Sequence, residues 1–214
     1  MYILRSAIQA SILILVILSS GAVHAQENPQ ALVERISQAV LKQARADPEI
    51  QRGNRARILE LVRKEVLPHV DFERMTALAA GRYWHSASDQ QKEQLTQEFK
   101  RLLIHVYSGA ISQVKDKALV FRPMRGNLSG GTVEVRSEVR QKRGAQPIEL
   151  NYRLAKEPEG WKIYDVSVLD VWLVQSYRSS FAQEIAEGGI GGLIASLAAK
   201  NDKLANPVTR SSDG

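Results

Sequence analysis

Residues 161–181 read WKIYDVSVLDVWLVQSYRSSF, and their apolar period changes partway along. Trp161 and Ile163 share one parity, Lys162 and Tyr164 the other, as in a half-buried strand. Val166 and Val168 then carry the apolar character on the opposite parity, which predicts a bulge or burial on both faces. After Asp170 the spacing becomes helical, through Leu173, Val174, Tyr177 and Phe181. Neither Gly nor Pro separates the two stretches, so this helix must pack close to the sheet it leaves. Trp172, Tyr177 and Phe181 crowd the junction, either as a filled core corner or as the mouth of an apolar pocket.

The residues before this stretch supply the rest of a sheet. Leu119 to Met124 reads as a strand. Val133, Val135, Ser137 and Val139 alternate with Glu134, Arg136, Glu138 and Arg140. Ile148, Leu150, Tyr152 and Leu154 alternate with Glu149, Asn151 and Arg153. Arg143-Gly144 and Pro158-Glu159-Gly160 supply turns. The pattern predicts an antiparallel meander of four strands, or slightly more, with one apolar and one charged face. The apolar face needs a cover, and the helices before and after it are the candidates. The fold class is therefore α+β.

Helical signals fill the first half. Asn28-Pro29 reads as a cap and a first helical residue, ahead of Leu32, Val33, Ile36, Val40 and Leu41. A second helix spans about Asn54 to Leu67, stopped by Pro68. Asp71 opens a third through Phe72, Met75, Leu78 and Ala79, ending near Gly81. Ser88 with Gln91 forms a capping box for the longest helix, expected to reach Val114. Its stripe is Leu95, Phe99, Leu102, Leu103, Val106 and Tyr107. Gly188 to Gly192 breaks the final helical region, and a short last helix carries Leu193, Ile194 and Leu197. The domain is expected to span 26–201, with a disordered tail over 202–214.

The N-terminus reads as an export signal. Arg5 precedes an apolar run with ILILVIL at its heart, and Val23-His24-Ala25 precedes polar Gln26. The run is short for a bilayer span of about 20 residues. Residues 1–25 are thus expected to be cleaved, leaving a soluble exported protein, periplasmic in a bacterium with two membranes. The chain has 214 residues, no cysteine and a formal charge of +6. Thiolate metal sites and thiol chemistry are excluded. The basic excess does not form a nucleic-acid stripe, because Arg136, Arg140 and Arg153 interleave with Glu134, Glu138 and Glu149.

Catalytic signatures are sparse. His69, His85 and His105 lack the i, i+4 spacing of a helical metal site. No Gly-x-Ser-x-Gly turn occurs. The glycine run lacks the strand before it and the Lys-Ser/Thr after it that a phosphate loop needs. A buried acid such as Asp165 or Asp170 beside Tyr152 or Tyr164 is one route to an isomerase-like site. A purely structural domain with a filled core is another reading.

Several stretches together resemble a known family. They are Val66-Leu67-Pro68-His69-Val70-Asp71-Phe72 leading to Met75, and Gly81-Arg82-Tyr83-Trp84 before the capped helix. Gly160-Trp161, Tyr164-Asp165-Val166, Tyr177-Arg178-Ser179-Ser180-Phe181 and Gly189-Ile190-Gly191-Gly192-Leu193-Ile194 follow. In this order, over about Ala31 to Asn201, they resemble the MlaC, or toluene-tolerance Ttg2, family of periplasmic phospholipid-binding proteins. The resemblance implies an NTF2-like cone, a sheet wrapped by helices around an apolar cavity for acyl tails. It implies a monomeric, non-enzymatic carrier with no cofactor, whose ligand is a phospholipid. It also implies exchange with an inner-membrane MCE-domain ABC transporter and an outer-membrane lipoprotein–porin complex, in support of outer-membrane lipid asymmetry. A related branch is associated with hopanoid lipids, so that ligand class stays open.

Tails are expected between the meander's apolar face and the stripes of the longest helix and the helix after Asp170. The candidate lining is Phe72, Met75, Tyr83, Phe99, Leu102, Leu103, Val106, Val133, Val135, Val139, Leu150, Tyr152, Ile163, Val166, Val168, Trp172 and Phe181.

Overall fold

The computed structural model describes residues 27–114, 117–141 and 146–206. The expected signal segment, the Arg143-Gly144 turn and residues 207–214 lie outside them.

Helix α1 (Pro29–Ala46) starts where the Asn28 side chain accepts the amides of Gln30 and Ala31. Asp47 ends it and caps the short α2 (Pro48–Gln51) through the amides of Glu49 and Ile50. Asn54 caps α3 (Arg55–Glu65). This helix stops before the expected Leu67, because Pro68 disfavours helical geometry in the residue ahead of it. Leu67–His69 instead tighten into a 3-10 turn. Helix α4 (Phe72–Ala80) is capped by Asp71 and closed by Gly81 at φ 59°. Helix α5 (Asp89–Tyr107) opens on the Ser88/Gln91 capping box. It was expected to reach Val114, but Ser108–Gln113 is a 3-10 segment. Ser108 and Gly109 are weak helix formers at that point.

The strands are β1 (Lys117–Asn127), β2 (Thr132–Gln141), β3 (Ile148–Glu157), β4 (Gly160–Val168) and β5 (Val171–Trp172). They form one antiparallel sheet in sequence order, so the meander has five strands. β1 is longer than Leu119 to Met124, and its register shifts between Arg122 and Arg125, where Pro123 has no amide to donate. Of the bulge or two-sided burial expected in β4, the register shows the bulge, and Asp165 and Ser167 on the other face are buried as well. Arg153 faces Asp165 while Leu154 faces Ile163, which leaves Tyr164 as the extra residue. That insertion returns Val166 and Val168 to the face of Trp161 and Ile163.

Helix α6 (Leu173–Ala205) follows β5 directly and kinks at Gly189, whose φ 66° and ψ −177° are not helical. It continues through Ala205, so residues 202–205 belong to the helix and not to a tail. Leu204 packs against the helical core.

The interior is divided. Leu32, Val33 and Ile36 of α1 pack on Val133, Val135, Leu154, Trp161 and Ile163 of the sheet. Ala44, Ile50, Ile58, Leu61 and Val62 join α1, α2 and α3. A third cluster joins α4, α5 and α6, from Met75 through Phe99 and Leu102 to Phe181 and Leu197. It lies along the β4 side, where Val70 bridges Ile163 and the Asp71 amide donates to the Ile163 carbonyl at 2.9 Å. The cover of the sheet's apolar face is therefore α1, not the stripes of α5 and α6 as the sequence led us to expect. Those stripes are spent on one another: the Phe99 ring meets Tyr177 at 4.9 Å and Phe181 at 5.0 Å, both edge-on.

Candidate functional site

Residues paired across strands share a face, so the register arranges the apolar side chains in rows. Gly126, Val133, Leu154 and Ile163 make one row, and Val135, Tyr152 and Val166 the next. Phe121, Ser137, Leu150 and Val168 make a third, and Leu119, Val139 and Ile148 a fourth. The first two rows lie beneath α1, and Val133, Val135, Leu154 and Ile163 are buried there. In the last two rows every apolar side chain is only half-buried. The sheet thus passes from a packed floor to an apolar floor that keeps accessible surface.

Tyr152 sits at that change. Burial pushes its hydroxyl up to about 12, against the opposing hydrogen bonds of Ser37 and Ser137. Tyr152 nevertheless retains accessible surface.

The expected lining residues divide into groups. Val133, Val135, Val139, Leu150, Tyr152, Ile163, Val166 and Val168 share the apolar face. Phe72, Met75, Tyr83, Phe99, Leu102, Leu103 and Phe181 belong to the separate helical cluster. Val106 is 44% exposed and joins neither. Trp172 pairs with Ser167, and the Arg153 guanidinium stacks over its ring at 3.7 Å. It therefore lies on the charged face, because the β4–β5 turn feeds α6 from that side. The sequence also left residues out. Leu119, Phe121 and Ile148 complete the half-buried rows, and Ser37 of α1 reaches Tyr152. Phe121 was legible as a strand residue, but its place in the row of Leu150, with Ser137 between them, emerges only from the register.

The charged face does structural work at two points. Asp165 accepts the amides of Val166 at 2.9 Å and Val174 at 3.1 Å, and faces Arg153 at 3.4 Å. Burial pushes its carboxyl above the ordinary range, and the Val174 amide and Arg153 pull it back. Glu138 is buried under Arg122 and Arg140, which both bond its carboxylate, so this face is less solvated than the alternating charges implied. Asp165 and Tyr152 stand on opposite faces, since Asp165 pairs with Arg153 and Tyr152 with Val166. An acid–base site joining them is not built here.

A solved phospholipid-binding protein from Ralstonia solanacearum, in complex with a phospholipid, superposes with a TM-score of 0.78 at 36% identity. The match covers 84% of this chain and 99% of that one. The intermembrane phospholipid transport system binding protein MlaC of Haemophilus influenzae is 21% identical over 175 residues, covering 81% of this chain and 82% of its own. The toluene tolerance protein ttg2D of Pseudomonas putida is 22% identical over 167 residues, covering 77% and 76%. The model of the family described as MlaC protein matches residues 34–199, most of the described fold, and the chain belongs to that family.

Proposed function

We propose that this protein is a periplasmic phospholipid carrier, exported with cleavage after Ala25. It holds acyl tails against the half-buried rows of the sheet and leaves the headgroup in solvent. The observation that carries this reading is the pair of sheet rows holding Phe121, Leu150 and Val168 and then Leu119, Val139 and Ile148, whose apolar side chains are only half-buried. The phospholipid bound by the Ralstonia relative, at 36% identity, supports the ligand class. No helix among the described residues is long and apolar enough to cross a membrane.

The energetics suit a carrier. Burying about 30 methylenes at about 0.8 kcal/mol each gives on the order of 20 kcal/mol gross, before the cost of ordering the lipid. Spontaneous loss into water is then slow, and transfer requires docking to another lipid-accepting protein. In this reading the protein works as a monomer between an outer-membrane lipoprotein–porin complex and an inner-membrane MCE-domain ABC transporter, and its traffic maintains outer-membrane lipid asymmetry. Methylenes carry little identity, so tail selectivity arises only where polar groups interrupt the apolar wall.

Native mass spectrometry of the exported protein tests the reading. The expected result is a polypeptide beginning at Gln26 with a co-purifying phospholipid. An empty protein that takes up no phospholipid from vesicles overturns it.

A further inference from the structure

The third apolar row does not stop at Val168. Val168 pairs with Val171 in β5, and paired residues share a face. The row therefore runs from Phe121 through Leu150 and Val168 to Val171. Exposure rises toward its end: Leu150 and Val168 are half-buried, and Val171 is 58% exposed. The first row ends differently. There Val70 bridges Ile163 and closes the outer edge of β4.

The covering helices leave the end at Val171 open. Helix α1 packs on the first two rows through Leu32, Val33 and Ile36. At its far end the Arg45 guanidinium bonds the Lys117 carbonyl, which ties it to the start of β1, on the opposite edge of the sheet. Helix α6 departs from the charged face, where Trp172 pairs with Ser167 and Asp165 holds the Val174 amide. Val171 keeps its exposure because neither helix crosses it.

The turn beside it holds a second apolar side chain outward. Leu169 and Asp170 are both left-handed, at φ 51° and 63°, a conformation that Gly or Asn adopts more easily than Leu. Leu169 nonetheless occupies it, 61% exposed. Its amide donates to the Glu149 carbonyl at 3.0 Å, so the turn is pinned to β3. An exposed apolar patch of this kind marks a contact with something apolar. Two side chains are far too little area for a stable protein–protein interface, which buries about 1,200 Å² or more. An acyl chain needs only a narrow apolar track.

We infer that the β4–β5 hairpin is the lip of the tail site, over which the acyl chains of a phospholipid enter and leave the half-buried rows. The inference rests on the carrier reading and adds the place of entry. A chain that slides from Val171 to Val168 and Leu150 stays on apolar surface and never crosses open water.

The test is loading kinetics. Mature protein stripped of lipid is mixed with phosphatidylcholine vesicles that carry a self-quenched fluorescent phosphatidylethanolamine, and the rise in fluorescence on transfer reads the rate. Val171→Asp and Leu169→Asp each place a charge on the lip and slow loading by roughly tenfold, the loss of one apolar side chain's contact during transfer. Leu128→Asp charges an exposed leucine in the β1–β2 turn, at the opposite end of the sheet, and loads at the unmodified rate. Unmodified rates in both lip variants, or equal slowing in Leu128→Asp, overturn the inference and leave the carrier role intact. If the lip variants do not fold, the unmodified protein decides. It is loaded with a phospholipid whose acyl chain carries a diazirine, photolysed and digested. Adducts on residues 168–171 are expected, and adducts confined to other segments overturn the inference. Failure of the unmodified protein to load either lipid removes the carrier reading itself.

Discussion

The carboxylate of Asp165, in the middle of β4, accepts the backbone amide of Val174 in the first turn of α6 at 3.1 Å. The residue at the helix's own cap position, Trp172, offers no side-chain bond. The strand therefore caps the helix that follows it, across the β5 turn. This explains how a chain with no Gly or Pro between sheet and helix fixes the angle between them. Trp172 and Arg153 close over the cap, with the guanidinium between ring and carboxylate.

Asp165→Ala removes the cap and leaves a buried amide without its partner. The expected loss is about 1–2 kcal/mol of unfolding free energy, the usual range for a lost helix cap. Asp165→Asn keeps one oxygen for both amides and loses less. Urea unfolding of the three proteins gives the order. Equal midpoints for Asp165→Ala and the unmodified protein refute the capping role.

The β4–β5 turn holds strain of another kind. Leu169 at φ 51° and Asp170 at φ 63° are both left-handed, while Val168 pairs with Val171 across the turn. Two positive φ values in a two-residue hairpin loop favour Asn-Gly, and a leucine there is costly. Leu169 is also 61% exposed, so its side chain gains little from packing. Replacing Leu169-Asp170 by Asn-Gly should stabilise the protein by about 1 kcal/mol. A rise in the thermal midpoint checks this, and a fall shows that the Leu169 side chain contributes more than its exposure indicates.

These two features show where the sequence was informative. Caps at Asn28, Asp71 and Ser88 were legible because each side chain bonds an amide two or three residues away. The β4 bulge was legible because Trp161 and Ile163 change parity with Val166 and Val168. The partner of each apolar face was not. The stripes of α1 and α5 look alike, and nothing local says that Leu32, Val33 and Ile36 meet the sheet while Phe99 meets Phe181. Seven of the seventeen expected lining residues fell into the helical cluster for that reason. Trp172 was placed by its size and neighbours, whereas its face is set by pairing with Ser167.

Glu138 makes a pH prediction. Its bonds with Arg122 and then Arg140 hold its carboxyl below the usual 4.5. A carboxylate held low in the folded state adds stability that is fully present above its unfolded pKa and is lost as pH falls through the folded value. Glu138→Gln should therefore be less stable than the unmodified protein at pH 7. The gap should narrow once pH drops below 4.5 and close further on. Thermal midpoints between pH 7 and 3 follow it. A gap that stays constant over that range excludes ionisation of Glu138 as its cause.

The division between filled core and lipid space can be read from opposite substitutions. Phe99 is fully buried against Tyr177 and Phe181. Phe99→Ala should cost about 3–5 kcal/mol, because the removed ring leaves a hole that close packing cannot refill. Leu150 lies in a half-buried row next to Tyr152. Leu150→Trp enlarges a side chain, which in a filled core costs about 1–3 kcal/mol. Beside an open space the added ring has room, and the stability should change little. The same ring occupies volume that an acyl chain would use, so the lipid content of the purified protein should fall. The two readouts move apart only if the space is real. A Leu150→Trp protein that is strongly destabilised, or one that keeps its full lipid load, places the tails elsewhere in the fold.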